Sequence, residues 1–209
     1  MSTVFITDGN GPLGAAMGRA LRELGNIVIS CGADLTVGDL ERAISGAGDI
    51  GVLINNAEPE FERLAFEEVG EPKLASMISH VAKSAFFATK AVVPGMKSRG
   101  GGRIINVSSA APVRGMTGGS HYTAAKGALY SLTRSWAMEF APHGITVNLV
   151  AADVGSGTAA EDGGGATPLG RPVTLPDVVD AVAFLAGPGS GMITGQEIII
   201  NGGFTLQGF

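Results

Sequence analysis

Short apolar runs alternate with longer helical segments along almost the whole chain, and that order is the strongest constraint on its fold. Strands are expected at Thr3–Thr7, Ile27–Cys31, Val52–Asn55, Arg103–Ser108, Thr146–Val150 and Glu197–Ile200. Between them, helices are expected at Pro12–Leu24 (closed by Gly25), Val37–Ser45, Lys73–Lys97 (Pro94 near its end), His121–Phe140 and Pro176–Ala186. A strand that returns parallel to its predecessor needs a crossover, and a helix is the usual one. This alternation therefore predicts an α/β protein with a doubly wound parallel sheet, in one domain spanning residues 1–209. The 33 glycines argue against an all-helical chain and fall at element ends, where turns need them. Hydrophobic residues make up 45% and mean hydropathy is +0.30. No apolar run approaches the roughly 20 residues that cross a bilayer. The runs are strand-sized, as in a sheet covered on both faces. Residues 155–165, rich in Gly, Ala and acid without apolar period, read as a flexible loop within the domain.

Charge and cysteine content narrow the function classes. Fourteen basic against nineteen acidic residues leave −5, which makes no cationic surface for nucleic acid or anionic lipid. Lys97, Arg99 and Arg103 form a small basic cluster, expected to be a solvated helix end and loop. Cys31 is the single cysteine, so neither an intrachain disulfide nor a zinc cluster is expected, and no metal site is assigned. The start, Met-Ser-Thr-Val-Phe-Ile, lacks the charged region and cleavage site of a signal peptide, so a soluble cytoplasmic protein is expected.

Two constellations carry chemistry. Gly9-Asn10-Gly11-Pro12-Leu13-Gly14 follows an apolar strand and opens a helix, the context of a dinucleotide fingerprint. Small residues let the backbone approach a pyrophosphate, and the helix N-terminus favours an anion. The same residues also suit a tight strand–helix turn that binds nothing. Asp8 adds an unfavourable carboxylate beside the loop, and Pro12 removes one donor, although proline suits a first helical position. Tyr122 and Lys126 are four residues apart in a helical segment and share a face. An ammonium beside a phenol favours phenolate, so such a tyrosine exchanges protons with a carbonyl or alcohol near neutral pH. Ser109 ends a strand thirteen residues before Tyr122 and is positioned to donate to a substrate oxygen.

Together these residues resemble the short-chain dehydrogenase/reductase family nearly end to end. Thr7 to Gly14 is similar to its cofactor loop, Asp34-Leu35-Thr36 to the acidic motif beside adenine, and Asn55-Asn56-Ala57 to its Asn-Asn-Ala-Gly strand end. Ser109, Tyr122 and Lys126 fall on the catalytic serine, tyrosine and lysine. The tail is also family-like: Pro168 to Arg171, Ala183 to Ala186, Ile193 to Gln196, and Asn201 to Phe204. The resemblance implies a Rossmann-like fold and hydride transfer between NAD or NADP and a small carbonyl or secondary alcohol. Tyr122 would be the acid–base group, Lys126 would tune it and hold the nicotinamide ribose, and Ser109 would fix the substrate oxygen. Thr7, Gly9, Gly11, Leu13, Gly14, Asp34, Leu35, Asn56, Ala57, Tyr122 and Lys126 would contact the cofactor. A homo-oligomer, dimer or tetramer, is expected through His121–Phe140 and Glu197–Phe209.

The departures from the family cluster around the cofactor. Asp8 replaces the first loop glycine. The helix and strand that relatives place between Ile27–Cys31 and Asp34 are almost absent, which trims the adenosine wall. Neither acid nor base closes Ile27–Cys31 to read the ribose 2′ position, so NAD and NADP are not distinguished. Val81 falls on the family's helix asparagine, with His80 adjacent. Glu58 replaces the glycine of Asn-Asn-Ala-Gly near the nicotinamide position. Ala152-Asp153 replaces Pro-Gly, Gly157 stands where a threonine binds the carboxamide, and the lid is shortened. Cofactor binding is therefore expected to be weak or lost. Two other readings remain open. One is a cofactor-independent relative like the halohydrin dehalogenases, which however carry arginine in place of Lys126 and bulky aromatics in place of Gly11 and Leu13. The other is a non-catalytic binding or scaffold subunit.

Overall fold

A computed structural model describes residues 1–33, 35–152 and 167–206. The expectations at Asp34, Asp153, Gly157, the loop 155–165 and the last three tail residues lie outside the described residues. Six strands form one parallel sheet: β1 (Thr3–Ile6), β2 (Ile27–Ser30), β3 (Ile50–Asn55), β4 (Gly102–Ser108), β5 (Ile145–Ala152) and β6 (Glu197–Ile200), in the order β2-β1-β3-β4-β5-β6. The helices are α1 (Pro12–Glu23), α2 (Val37–Gly46), α3 (Glu71–Ile78), α4 (Ser84–Arg99), a short α5 (Ala111–Arg114), α6 (Ser120–Phe140) and α7 (Leu175–Ala186). The expected elements are all present, with ends shifted by at most two residues except where noted below. The doubly wound expectation holds.

The strand side chains alternate between two cores, as a pleated strand requires. Val4, Ile6, Val52, Ile54, Ile105 and Val150 face one cluster, filled by Met17 and Leu21 of α1 and Val178, Val182 and Leu185 of α7. Phe5, Leu53, Ile104, Val147 and Leu149 face the other, filled by Ala88 and Met96 of α4 and Leu129 and Trp136 of α6. The edge strand β2 is thinly covered, with Ile27 51% exposed. Its Val28 carbonyl accepts a hydrogen bond from the Arg22 guanidinium at 3.2 Å.

The chain direction reverses its lateral progress at β1, which has β2 on one side and β3 on the other. In open parallel sheets a crevice forms at such a switch point, beyond the strand C-termini. There the loops after β1 and β3 meet, carrying Asp8 and Glu58.

Three expectations need correction. The expected continuous helix Lys73–Lys97 runs from Glu71 to Arg99 and is broken by a π turn at Ser79–Lys83. A π turn inserts an extra residue and rotates the rest of the helix about its axis, with no residue signature to announce it. Within it Val81 is fully buried and His80 Nε2 is buried without a hydrogen-bond partner. The basic cluster is not merely solvated. Arg99 pairs with Asp49 and donates to the Ile50 carbonyl, tying the end of α4 to the start of β3, and Lys97 lies 5.4 Å from the Phe140 ring centroid. The strand before Ser109 ends at Ser108.

The family-like tail has structural duties. Arg171 grips the Asp177 carboxylate at 2.5 and 2.7 Å, and Asp177 with Thr174 forms the capping box of α7. Those bonds hold the Asp177 carboxyl well below the usual carboxylate range. The segment before β6 is sewn to β5: Thr194 Oγ1 accepts from the Val147 amide, and Asn148 donates to the Ile193 carbonyl.

A buried amide chain joins the centre of the sheet to both helices of one layer. Asn55 Nδ2 donates to Asn106 Oδ1 at 2.8 Å and Thr89 Oγ1 at 3.2 Å, and Asn106 Nδ2 donates to Thr133 Oγ1 at 2.8 Å. Asn106 has no exposed surface. Asn106→Ala strands two buried polar partners at once, and urea unfolding should show a loss of about 2–4 kcal/mol, since each orphaned group costs about 1–3.

Candidate active site

The turn after β1 uses its glycines differently. A Cβ on Gly9 would lie 2.3 Å from Ser30 Cβ, and one on Gly14 would lie 2.5 Å from the Asp8 carbonyl. Both therefore serve close packing of strand, turn and helix. Gly11 caps α1 in extended conformation and has nothing nearer than 3.8 Å, so its face is open for a ligand. Thr7 is buried and its Oγ1 accepts the Asn56 amide at 2.9 Å, fastening the β1 and β3 ends together. Asp8 is the one non-glycine residue with positive φ among those described, +48°. Its carbonyl accepts from Asn56 Nδ2 at 3.1 Å, and its carboxylate accepts from the Glu58 amide at 3.2 Å.

Tyr122 and Lys126 stand one turn apart on α6, as expected, and both are almost wholly buried. Lys126 Nζ donates to the Ala57 carbonyl at 2.8 Å and to Glu58 Oε2 at 2.6 Å. The Tyr122 hydroxyl donates to Glu58 Oε1 at 3.0 Å. One carboxylate thus spans both groups, while its own side chain is 52% exposed. Lys126 Nζ also lies 5.8 Å from the Tyr122 ring centroid. Ser109 is buried; its Oγ accepts the Ala111 amide at 3.0 Å, and its carbonyl accepts the Tyr130 hydroxyl at 2.9 Å. Ser108 Oγ donates to the Lys126 carbonyl.

A cleft of about 300 Å³ opens between the two loops, lined by Asp8, Gly11, Leu13, Gly14, Asn56, Glu58, Ser108 and Tyr122 among others. Of the expected cofactor residues, Gly11, Leu13, Gly14, Asn56 and Tyr122 line it. Thr7, Gly9, Ala57 and Lys126 are buried and do not line it, and Leu35 is 40% exposed just before α2. Ser109 is not among the lining residues; its neighbour Ser108 is.

These residues fit a dinucleotide at one end and not at the other. Gly11 and the start of α1 offer a phosphate the open backbone and favourable helix dipole it needs. At the nicotinamide end, Glu58 already holds the two groups that a ribose or a substrate oxygen would use. The sequence singled out Glu58 only as a departure; its backbone position alone does not say where a flexible side chain points. Phe61 was missed altogether. Its ring lies 4.9 Å from Tyr122 and 5.7 Å from His121, stacked on the latter, and it holds both in place.

Comparison with known proteins matches residues 33–205 to a family model described as enoyl-(acyl carrier protein) reductase. The L-xylulose reductase of Bos taurus is 35% identical over 207 residues, covering 90% of this chain and 84% of its own. The chain belongs to the short-chain dehydrogenase/reductase family. Enzymes of this family are NAD(P)-dependent oxidoreductases, and that is the activity class of this chain. The acetoin dehydrogenase YohF of Salmonella typhimurium superposes with TM-score 0.87 at 26% identity, covering 100% of this chain and 99% of that one. A structure described as a dehalogenation enzyme superposes with TM-score 0.85 at 25% identity, covering 97% and 98%. The same fold thus carries more than one chemistry among solved structures. No described helix is long and apolar enough to cross a membrane.

His121, next to Tyr122, is 1% exposed with neither ring nitrogen hydrogen-bonded. Burial, helped by the Lys73 charge, pushes its pKa below the ordinary 6.5. The folded state then binds fewer protons than the unfolded one as pH falls below about 6.5, so stability is lost on that side. Between pH 7 and 5, the melting temperature of His121→Phe should fall less steeply than that of the parent.

Proposed function

We propose that this chain interconverts a small carbonyl compound and its secondary alcohol with NAD or NADP, using Tyr122 as the acid–base group. The observation carrying this reading is the pair formed by the Tyr122 hydroxyl and Lys126 ammonium, both reaching one acceptor at 3.0 and 2.6 Å beside an open Gly11. Acid–base chemistry on a carbonyl needs a proton donor within hydrogen-bond reach of the oxygen, and Tyr122 faces the cleft where one would sit. Lys126, held by the Ala57 carbonyl, favours charge development on the phenol oxygen. Ser109, next to the cleft-lining Ser108, would fix the substrate oxygen. Gly11, Leu13 and Gly14 would hold the dinucleotide phosphates, with Asn56 and Ala57 at the nicotinamide end and Asp34 and Leu35 toward adenine. Bound there, the nicotinamide would supply or take the hydride.

Binding is weak in this reading and discriminates little between NAD and NADP. Asp8 and Glu58 bring two carboxylates to the cleft, and the helix and strand that wall the adenosine in relatives are trimmed. The chain acts as one domain, in the cytoplasm, on a small-molecule substrate, without nucleic acid or membrane partners. The scaffold-subunit alternative is less well supported, because Tyr122 and Lys126 are both present and Tyr122 lines a cleft. The dehalogenase-like alternative conflicts with Lys126 and with the open Gly11.

Turnover of small ketones and diketones with NADH and NADPH tests this. Tyr122→Phe should lower kcat by about 100-fold or more, the usual contribution of a positioned acid or base. A parent protein that releases halide from a halohydrin and never oxidises NADH would replace this reading.

The same proposal includes a homo-oligomer. Phe86 on α4 and Met138 on α6 are 45% and 82% exposed, on helices that flank one face of the sheet. Sedimentation velocity at micromolar concentration should give a dimer or tetramer, in keeping with closed symmetric assemblies.

A further inference from the structure

We propose that Glu58 is an internal latch on the acid–base pair: its carboxylate occupies the Tyr122 hydroxyl and Lys126 ammonium until a dinucleotide displaces it. The inference rests on the nicotinamide reading above and deepens it. Both groups that this reading needs are committed to one side chain of the same protein. Glu58 Oε1 accepts a hydrogen bond from the Tyr122 hydroxyl at 3.0 Å, and Oε2 accepts one from the Lys126 ammonium at 2.6 Å.

The surroundings suit a latch better than a fixed strut. Lys126 is buried and cannot leave, yet it keeps the Ala57 carbonyl when Glu58 departs. The Glu58 side chain is about half exposed, so its carboxylate has water to move into. Its backbone is held in register, because its amide is bound by the Asp8 carboxylate and the Asp8 carbonyl is bound by Asn56. A pivot fixed at the backbone with a solvated head swings without unfolding the loop. The carboxylate also opposes Lys126 at the phenol: an anion accepting the O–H bond keeps the proton on Tyr122, whereas the ammonium alone favours its release. In the latched state the acid–base group is therefore held protonated. Once the carboxylate moves out, Lys126 becomes the dominant charge beside it.

The test uses the whole protein with Glu58→Gly and Glu58→Gln, each first checked for a cooperative melt. Without any cofactor, phenol ionisation is followed by absorbance at 295 nm. The chain has two tyrosines, so subtraction of the Tyr122→Phe trace isolates Tyr122. Both variants should ionise Tyr122 at lower pH than the parent. NADH and NADPH titrations, read by calorimetry, should show tighter binding in both variants, about tenfold for Glu58→Gly, the scale of one charge-assisted hydrogen bond. NADH affinity equal in parent and variants overturns the latch while leaving the oxidoreductase reading in place. An unmoved tyrosine titration overturns it as well. Folded variants that bind neither NADH nor NADPH overturn the latch together with the nicotinamide reading.

Discussion

Lys126 is a charged side chain with no exposed surface, and an ammonium in that position must be met by acceptors or lose its charge. Much of the site's geometry follows from meeting it. The Ala57 carbonyl and the Glu58 carboxylate are both drawn to α6 from the loop after β3, so that loop has little freedom of its own. Thr7 and Asn56 then bind the β1 and β3 ends into one unit, and Asp8 joins the Gly-rich turn to Glu58. A single buried charge thus couples a helix, two strand ends and the Gly-rich turn after β1.

What could be read from the residues, and what could not, divides along physical lines. Apolar runs of four to eight residues announce strands, and all six were legible, most plainly the central ones whose side chains are buried on both faces of the sheet. Tyr122 and Lys126 were legible because helical spacing fixes which side chains share a face. The open face of Gly11 and the packing role of Gly14 were foreshadowed by the order strand, turn, helix. The Glu58 contact was not legible, since three rotatable bonds separate its carboxylate from a backbone whose place could be guessed. Phe61 carries no pattern at all: it sits in a loop and matters only through the two rings it touches. The π turn at Ser79–Lys83 leaves no trace in composition, and it decides which residues of that helix face the core.

The departures from the family read differently once placed in space. Asp8 and Glu58 are fifty residues apart in sequence, yet the carboxylate of one binds the amide of the other. They are a single local arrangement rather than two independent losses. The tail motifs, by contrast, are explained without any ligand. Arg171 serves the capping box of α7, and Thr194 with Asn148 fastens the last strand. Similarity in that region therefore speaks for the fold, and the chemistry has to be argued from the crevice at β1 and β3.

The thin edge strand β2 carries a consequence of a different kind. A sheet shortened on one side exposes a new row of backbone donors and acceptors, and such rows recruit strands from other molecules. In β2 the amides of Ile27 and, just beyond, Cys31 point inward to β1, so by alternation Val28 and Ser30 face out. The Val28 carbonyl is already taken by Arg22. With only four residues and part of its outward pairing capacity satisfied, the border is a poor template for intermolecular β-pairing. Trimming of this kind can shorten a doubly wound protein without turning its rim into a nucleus for aggregation.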